Sequence, residues 1–441
     1  MKPKINILIY PMFSVDNINL DSNFVLINKI VARLKDRFNF FYILDQNRKP
    51  HPRSMIPNVK YLFIPMPKGK AKQVIYFNPL LFHEIFRKYP IQIIWNNVTE
   101  QGMNLKYTSD NIVEYVRHKI FNYHHYVIHD SLETASQYLP RIHIRNLQVI
   151  SSCYVDFNYF HTQHCYDMLM HEAKKILSTE LMAQLEKNSH VHLGGYCDTR
   201  FNEKKYDEFT FIYNHRLDGY KNYMDTFAMF ERLHIEGRNF RVVITGNNEK
   251  VSRVMKYPFV IVKELNDHND YLRELSRCHA NVTNSRHETY CISIAESMFH
   301  DHVIIAPNGV TFPELLGDSY PFLFDNEEQQ HSMMLRCLDE NIRTYKHDTK
   351  RLKLENHCEY LANQFESLYM DYGDLIDKMK DQPKQNRILN SFNSKKSIGF
   401  HDAMVIATKE FGTQAMPMQK ISVLLNQLGF SYDIRQEKFI R

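Results

Sequence analysis

Twice along this chain, short apolar runs alternate with amphipathic helical stretches, and that rhythm constrains the fold more than any other feature. INILIY, NFFYILD, VKYLFIP and IQIIW come first, with helical patterns over 24–34 and 79–87; YHHYVIH and LQVISS extend the series, and a helix is expected over 166–186. The pattern then restarts: FTFIYNH, FRVVITG, FVIVKEL, HANVTNS and HVIIAPN, with helices expected at 222–237, 270–278 and 293–300. Runs too short for helices, alternating with helices, predict parallel sheets covered on both faces. Two series predict an α/β chain of two Rossmann-like, doubly wound domains. Such sheets bind ligands beyond the carboxyl ends of their strands, so two facing units enclose a cleft.

A chain of 441 residues also exceeds what one core supports. The reading is a first domain over 1–205, a second over 206–345, helices returning toward the first domain over 346–380, a linker over 381–400 and a small module over 401–441. That module has helical periodicity over 401–411 and 418–428, then a closing strand in FSYDIRQEKFIR, which suggests a helix-turn-helix or winged helix. The seven cysteines are scattered and never spaced C-x-x-C, which predicts reduced thiols and a cytoplasmic protein. No apolar run approaches the roughly eighteen residues of a membrane span, so no transmembrane segment is expected.

The net charge is only +5, but it is unevenly distributed. Between Gln46 and His83 there is no acid, while Arg48, Lys49, Arg53, Lys60, Lys68, Lys70 and Lys72 all fall there. This stretch is either a set of solvated loops or an anion-binding face.

The most specific chemistry lies in residues 281–317. Glu288 follows a predicted strand, and Glu296 sits eight residues on, inside the next helix. At about 1.5 Å rise per residue, a helical interval would separate the two by roughly 12 Å. Paired glycosidase carboxylates stand only about 5 to 9.5 Å apart, so hydrolysis by an acid–base pair is disfavoured. The spacing suits two acceptors gripping hydroxyls at opposite ends of an extended ligand. Between them, the backbone N–H groups around Cys291 and Ile292 open a helix and attract a negative group. Upstream, RLDGYKN places Arg216 and Lys221 just after FTFIYNH, where two cations can neutralise a diphosphate.

These stretches resemble the donor half of retaining GT-B glycosyltransferases, a family-4-like pattern in which an arginine–lysine pair follows the first strand of the second domain and E-x7-E follows a later one. The resemblance implies that Arg216 and Lys221 hold the diphosphate of a nucleotide sugar, Glu288 contacts the transferred sugar and Glu296 holds the ribose. SIAESM and VIIAPNGVTFPELLG also look like family sequence. Two departures stand out: Cys291 where the family has glycine, and PMFSVDNINLDS where it has a Gly-Gly turn. The chain has no Asp-x-Asp, the usual metal clamp for a diphosphate, so no metal cofactor is expected and the two cations take its place. His161, His164, Cys165 and His171 match no familiar metal spacing.

In the first domain, YHHYVIHDSLE is expected to bring His129 and Asp130 to the cleft, His129 to bond the donor sugar or cap the next helix, Asp130 to orient or deprotonate the acceptor. WNNVTE, residues 95–100, is a further candidate for the acceptor cleft. The acid-free stretch and the terminal module, with Lys420 and Arg435, suit duplex DNA. Their layout resembles bacteriophage enzymes that glycosylate hydroxymethylated pyrimidines, which would place the protein in the host cytoplasm. The alternatives are a polysaccharide or glycolipid transferase, and a non-catalytic DNA-binding protein on the same scaffold.

Overall fold

The computed structural model describes residues 4–13, 18–67, 70–89, 91–112, 118–128, 141–245, 249–265, 267–380, 395–399, 431–433 and 438–440. Strands β1 (Ile5–Tyr10), β2 (Phe38–Asp45), β3 (Lys60–Ile64), β4 (Ile93–Asn96), β5 (Lys119–His124), β6 (Phe157–Phe160) and β7 (Ser189–Val191) form one sheet in the order β3-β2-β1-β4-β5-β6-β7. A second sheet contains β8 (Thr210–Tyr213), β9 (Arg241–Ile244), β10 (Val260–Val262), β11 (Ala280–Val282), β12 (Val303–Pro307) and β13 (Leu323–Phe324), ordered β10-β9-β8-β11-β12-β13. The pairings in both are parallel. The strands are apolar on both faces because helices cover both: β4 and β8 are buried at every residue.

Strand order reverses at β1/β4 in the first sheet and at β8/β11 in the second. Successive connections leave in opposite directions there and open a crevice beyond the strand ends. The segments after β8 and β11 carry the residues singled out in the sequence.

Several local expectations are corrected. LQVISS is not a strand but part of the helix Arg141–Tyr154. Its buried residues Ile144, Gln148, Ser151 and Val155, just beyond its end, recur every three or four positions, the period of a helix face. The strand at this place is β6, FNYF. Likewise β5 is KIFNYH, not YHHYVIH: its register, Ile93 against Lys119 through Asn96 against Asn122, keeps it in step with β4 and ends it at His124. The helix expected over 166–186 is two, Gln163–Ala173 capped by Thr162 and Thr179–Lys187 capped by Ser178. Near the C-terminus, β14 (Ser397–Gly399), inside the stretch read as a linker, pairs antiparallel with β16 (Lys438–Ile440), as does β15 (Ser431–Asp433). FSYDIRQEKFIR therefore holds two strands, and the helices expected at 401–411 and 418–428 lie outside the described residues.

The chain passes between the sheets twice, and the two passages pair with each other. Cys197 N–H donates to the Leu352 carbonyl at 2.9 Å, and Leu354 N–H donates to the Cys197 carbonyl at 2.9 Å. The helix Leu354–Lys380 then lies back on the first domain, where the Phe365 ring meets Phe38, Trp95 and Phe121 with centroids 5.8, 5.8 and 5.2 Å away. Arg37 ties the same helix by ion pairs to Glu359 at 2.8 Å and Glu366 at 2.7 Å.

Gly195 makes the paired passages possible, because a Cβ there would collide with the Lys353 carbonyl, and backbone cannot swing aside. A Cβ on Gly219 meets nothing within 4 Å. Gly195→Ala is expected to cost about 1–3 kcal/mol of stability, as overpacking does, with Gly219→Ala the reference in thermal unfolding. Equal melting of the two would show that the passages separate freely.

Candidate active site

Beyond β8 the chain runs through Asn214, His215 and Arg216 to a short 3-10 turn, Gly219–Lys221. Asn222 follows in the left-handed region (φ 50°) and starts the helix Tyr223–Ile235. Beyond β11, residues 283–290 form a loop that ends at Cys291, also left-handed (φ 72°), the N-cap of the helix Ile292–Phe299. The two loops are bound together: Arg286 N–H donates to the Tyr220 carbonyl at 2.9 Å and Thr226 Oγ1 to Asn284 Oδ1 at 3.0 Å.

At their junction the Lys221 ammonium sits directly against the Glu288 carboxylate, and both residues are buried. Burial alone would pull the lysine pKa down, but Glu288, helped by Tyr220, more than reverses this and keeps Lys221 charged. Arg216 stands at the rim with its side chain 57% exposed, donating to Tyr220 Oη and lying 3.6 Å from Asp218. Both cations lie near the Tyr220 ring, Lys221 at 5.1 Å and Arg216 at 5.8 Å from its centroid.

Glu296 is buried one turn into the helix. Its Oε2 accepts from Tyr271 Oη at 2.8 Å, and His268 Nε2 lies 3.3 Å from its Oε1. Burial would raise this carboxyl, but the His268 contact outweighs it and holds it below its ordinary value. Tyr271 Oη in turn accepts from Asn214 Nδ2 at 2.8 Å, whose Oδ1 accepts from Asn281 Nδ2 at 2.8 Å. A carboxylate has about four lone-pair directions, so these two contacts leave acceptor capacity for a ligand.

His215 and Cys291 complete the junction. His215 Nδ1 is 3.0 Å from Ser293 Oγ, and its buried Nε2 has no hydrogen-bond partner. Burial, then nearby Lys221, pushes the ring's pKa far down, so the imidazole is neutral. The Cys291 thiol is pushed up to about 12 by burial and then by Glu288.

The loop bearing Glu288 also touches the first domain. Thr289 Oγ1 donates to the His125 carbonyl at 2.7 Å, just past β5, and the Thr289 carbonyl accepts from Thr162 Oγ1 at 2.8 Å. Glu314 of the second domain accepts from the N–H groups of Gln163 and His164 at 2.7 and 2.6 Å, the first turn of a first-domain helix. His125 stands at this junction through its carbonyl, and its Nε2 lies 2.8 Å from Asn97 Oδ1. The His-His pair after KIFNY is the sequence signal for it. His129 and Asp130 lie outside the described residues.

The structure brings together Arg216, Lys221, Glu288, Cys291, Ile292 and Glu296. It removes other candidates from the surface. Residues 95–100 are all buried, because β4 is central and covered on both faces; the Glu100 carboxylate accepts from Tyr126 Oη. Arg48 is also buried, paired with Asp45 at 2.7 Å and set over the Phe13 ring. Lys49, Arg53 and Lys72 are exposed. Lys68, Lys420 and Arg435 lie outside the described residues, as does the side chain of Lys70.

No family model and no curated protein sequence matches the chain. Solved structures do. Sucrose-phosphate synthase from Thermosynechococcus elongatus aligns over 84% of this chain and 99% of its own, with a TM-score of 0.63 at 13% identity. The lipopolysaccharide outer core galactosyltransferase WaaB aligns over 83% and 99%, at 0.58 and 12%. HepE from Anabaena, solved with UDP-glucose, aligns over 86% and 100%, at 0.52 and 13%. The likeness is one of fold: two facing Rossmann-like domains in the GT-B arrangement. Among the described residues, no helix is long and apolar enough to cross a membrane.

Cys291 keeps a backbone conformation that glycine adopts without penalty. Cys291→Gly should therefore unfold within about 1 kcal/mol of the wild type, since relief of left-handed strain offsets glycine's chain entropy. Cys291→Val, β-branched at positive φ, should lose at least about 2 kcal/mol. Denaturant unfolding measures both; a stable valine variant would mean this turn has no left-handed requirement.

Proposed function

We propose that the chain is a glycosyltransferase that moves a hexosyl or pentosyl group from a nucleotide diphosphate sugar, of UDP type, to an acceptor hydroxyl with retention of configuration and without a metal. The observation that carries this reading is the buried Lys221–Glu288 pair at the β8/β11 switch point, with Arg216 at the rim and Glu296 set deeper on the following helix. UDP-glucose in the HepE structure supports the donor class.

In this reading Lys221 and Arg216 hold the diphosphate, one buried and one exposed, and stabilise the charge that develops as the glycosidic bond breaks. The first turn of the helix Ile292–Phe299 adds its N-terminal dipole. Glu288 accepts from hydroxyls of the transferred sugar, and the spare lone pairs of Glu296 accept from the ribose. In a retaining transfer without a covalent glycosyl-enzyme the acceptor attacks on the face the diphosphate leaves, so a donor phosphate oxygen takes the acceptor proton, and Asp130 is assigned a positioning role.

The acceptor we propose is hydroxymethylated pyrimidine in duplex DNA, supported by the exposed Lys49, Arg53 and Lys72 in an acid-free stretch. A glycan or lipid-linked acceptor is the second reading, favoured by the fold shared with WaaB.

Release of free nucleotide diphosphate across a panel of sugar donors, with and without hydroxymethylated DNA, tests both levels. Release is expected from a UDP-sugar, stimulated by the modified DNA and suppressed by added salt. Donor turnover indifferent to DNA would move the acceptor to glycan or lipid, and no turnover with any donor would sink the enzyme reading. Lys221→Ala and Glu288→Gln should each lower kcat by about 10²–10³; near-normal rates in folded variants would remove the site assignment.

A further inference from the structure

We propose that His215, Glu288 and Cys291 form a binding site for a soft divalent cation such as Zn²⁺, and that the occupied site excludes the sugar donor.

One ring nitrogen of His215, one carboxylate oxygen of Glu288 and the Cys291 sulfur all lie within 4.8 Å of one another, and all three residues are buried; this is the one such group among the described residues. His215 is only 6% exposed, and its Nε2 points into the protein without a hydrogen-bond partner. A buried ring nitrogen without a hydrogen-bond partner is costly in an ordinary interior, and in the tautomer that leaves Nε2 unprotonated it offers a lone pair to a metal. Ser293 Oγ lies 3.0 Å from Nδ1 and 3.5 Å from Cys291 Sγ. With Nδ1–H donating to Ser293 Oγ, that contact fixes the ring's orientation and Nε2 is the nitrogen free to bind the ion.

The ligand set selects the ion. Imidazole, carboxylate and thiolate together suit Zn²⁺, which takes such donors tetrahedrally and leaves a fourth position for water or a ligand oxygen. Mg²⁺ prefers six oxygen donors and gains nothing from the sulfur. On binding, the Cys291 S–H proton leaves to solvent and the thiolate sulfur bonds the metal, so one proton is released per ion bound at this position. Lys221 opposes this by holding one Glu288 oxygen, and a dication binding the carboxylate competes with that ammonium. Exclusion of the donor rests on the function proposed above, in which Glu288 grips the sugar; the metal site itself does not.

The test uses Co²⁺ as a spectroscopic stand-in for Zn²⁺ on the full chain. One equivalent of Co²⁺ should give a near-ultraviolet thiolate-to-metal band that Zn²⁺ abolishes and excess Mg²⁺ does not. Cys291→Gly, which keeps the backbone conformation, should lose the band. His215→Gln should weaken Co²⁺ binding at least ten-fold while the protein stays folded by circular dichroism. Absence of the band in the wild type, or its persistence in Cys291→Gly, overturns the site whether or not the chain transfers sugar. The second half is read by adding UDP-sugar: Co²⁺ affinity should fall as donor is raised, and Zn²⁺ should inhibit turnover competitively with donor and reversibly by chelator. Donor that binds without changing Co²⁺ affinity overturns exclusion.

Discussion

The Lys221–Glu288 pair is the contact on which the second domain's ligand-facing edge depends. Two charges taken out of water cost several kcal/mol each, and their attraction repays this only with good geometry. Removing one partner would leave an uncompensated buried charge, a loss of about 3–5 kcal/mol. The pair therefore adds little to stability but leaves few arrangements open to the loops after β8 and β11. Under the proposed function a diphosphate offers Lys221 a second anion while sugar hydroxyls offer Glu288 new donors. The site is thus satisfied both without and with ligand, and binding exchanges partners without first exposing a bare charge.

That pairing reaches the first domain through one short loop. Thr289, next to Glu288, is held on both sides, by the His125 carbonyl and by Thr162 Oγ1. Glu314 adds two charge-assisted bonds at the first turn of a facing helix. The position of Glu288 is consequently coupled to the relative placement of the domains, and that placement is restrained by the Cys197–Lys353 pairing and the helix Leu354–Lys380.

Much of this was legible in the sequence because it is local. A strand, a turn and a helix start succeed one another within a dozen residues after β8 and again after β11, so the segments that carry Arg216, Lys221, Glu288 and Glu296 could be located from local pattern. What failed depends on neighbours. LQVISS has strand-like composition, yet its polar Gln148, Ser151 and Ser152 are buried: Gln148 bonds Thr99 and the Tyr126 carbonyl, and Ser151 bonds the Glu100 carbonyl. Those partners are far off in the chain and decide for the helix. The phase of β5 is set by β4, so the strand begins and ends several residues earlier than the run YHHYVIH suggests. Arg48 belongs to the acid-free stretch only because its partner, Asp45, lies one residue before that stretch begins.

The backbone itself marks the same edge. Asn222, Cys291 and Val310 have φ of 50°, 72° and 56°, and each stands after one of three adjacent strands, β8, β11 and β12, shortly before the next helix. Asparagine tolerates the left-handed region, whereas cysteine and above all valine do not. Strain of this kind persists only where surroundings over-determine it, and it gathers where a chain must present groups to a ligand. Cys291 thus keeps a turn geometry that glycine adopts without strain. It adds a buried sulfur beside His215 and Glu288, so the turn that opens the helix also carries the thiol on which the proposed cation site depends.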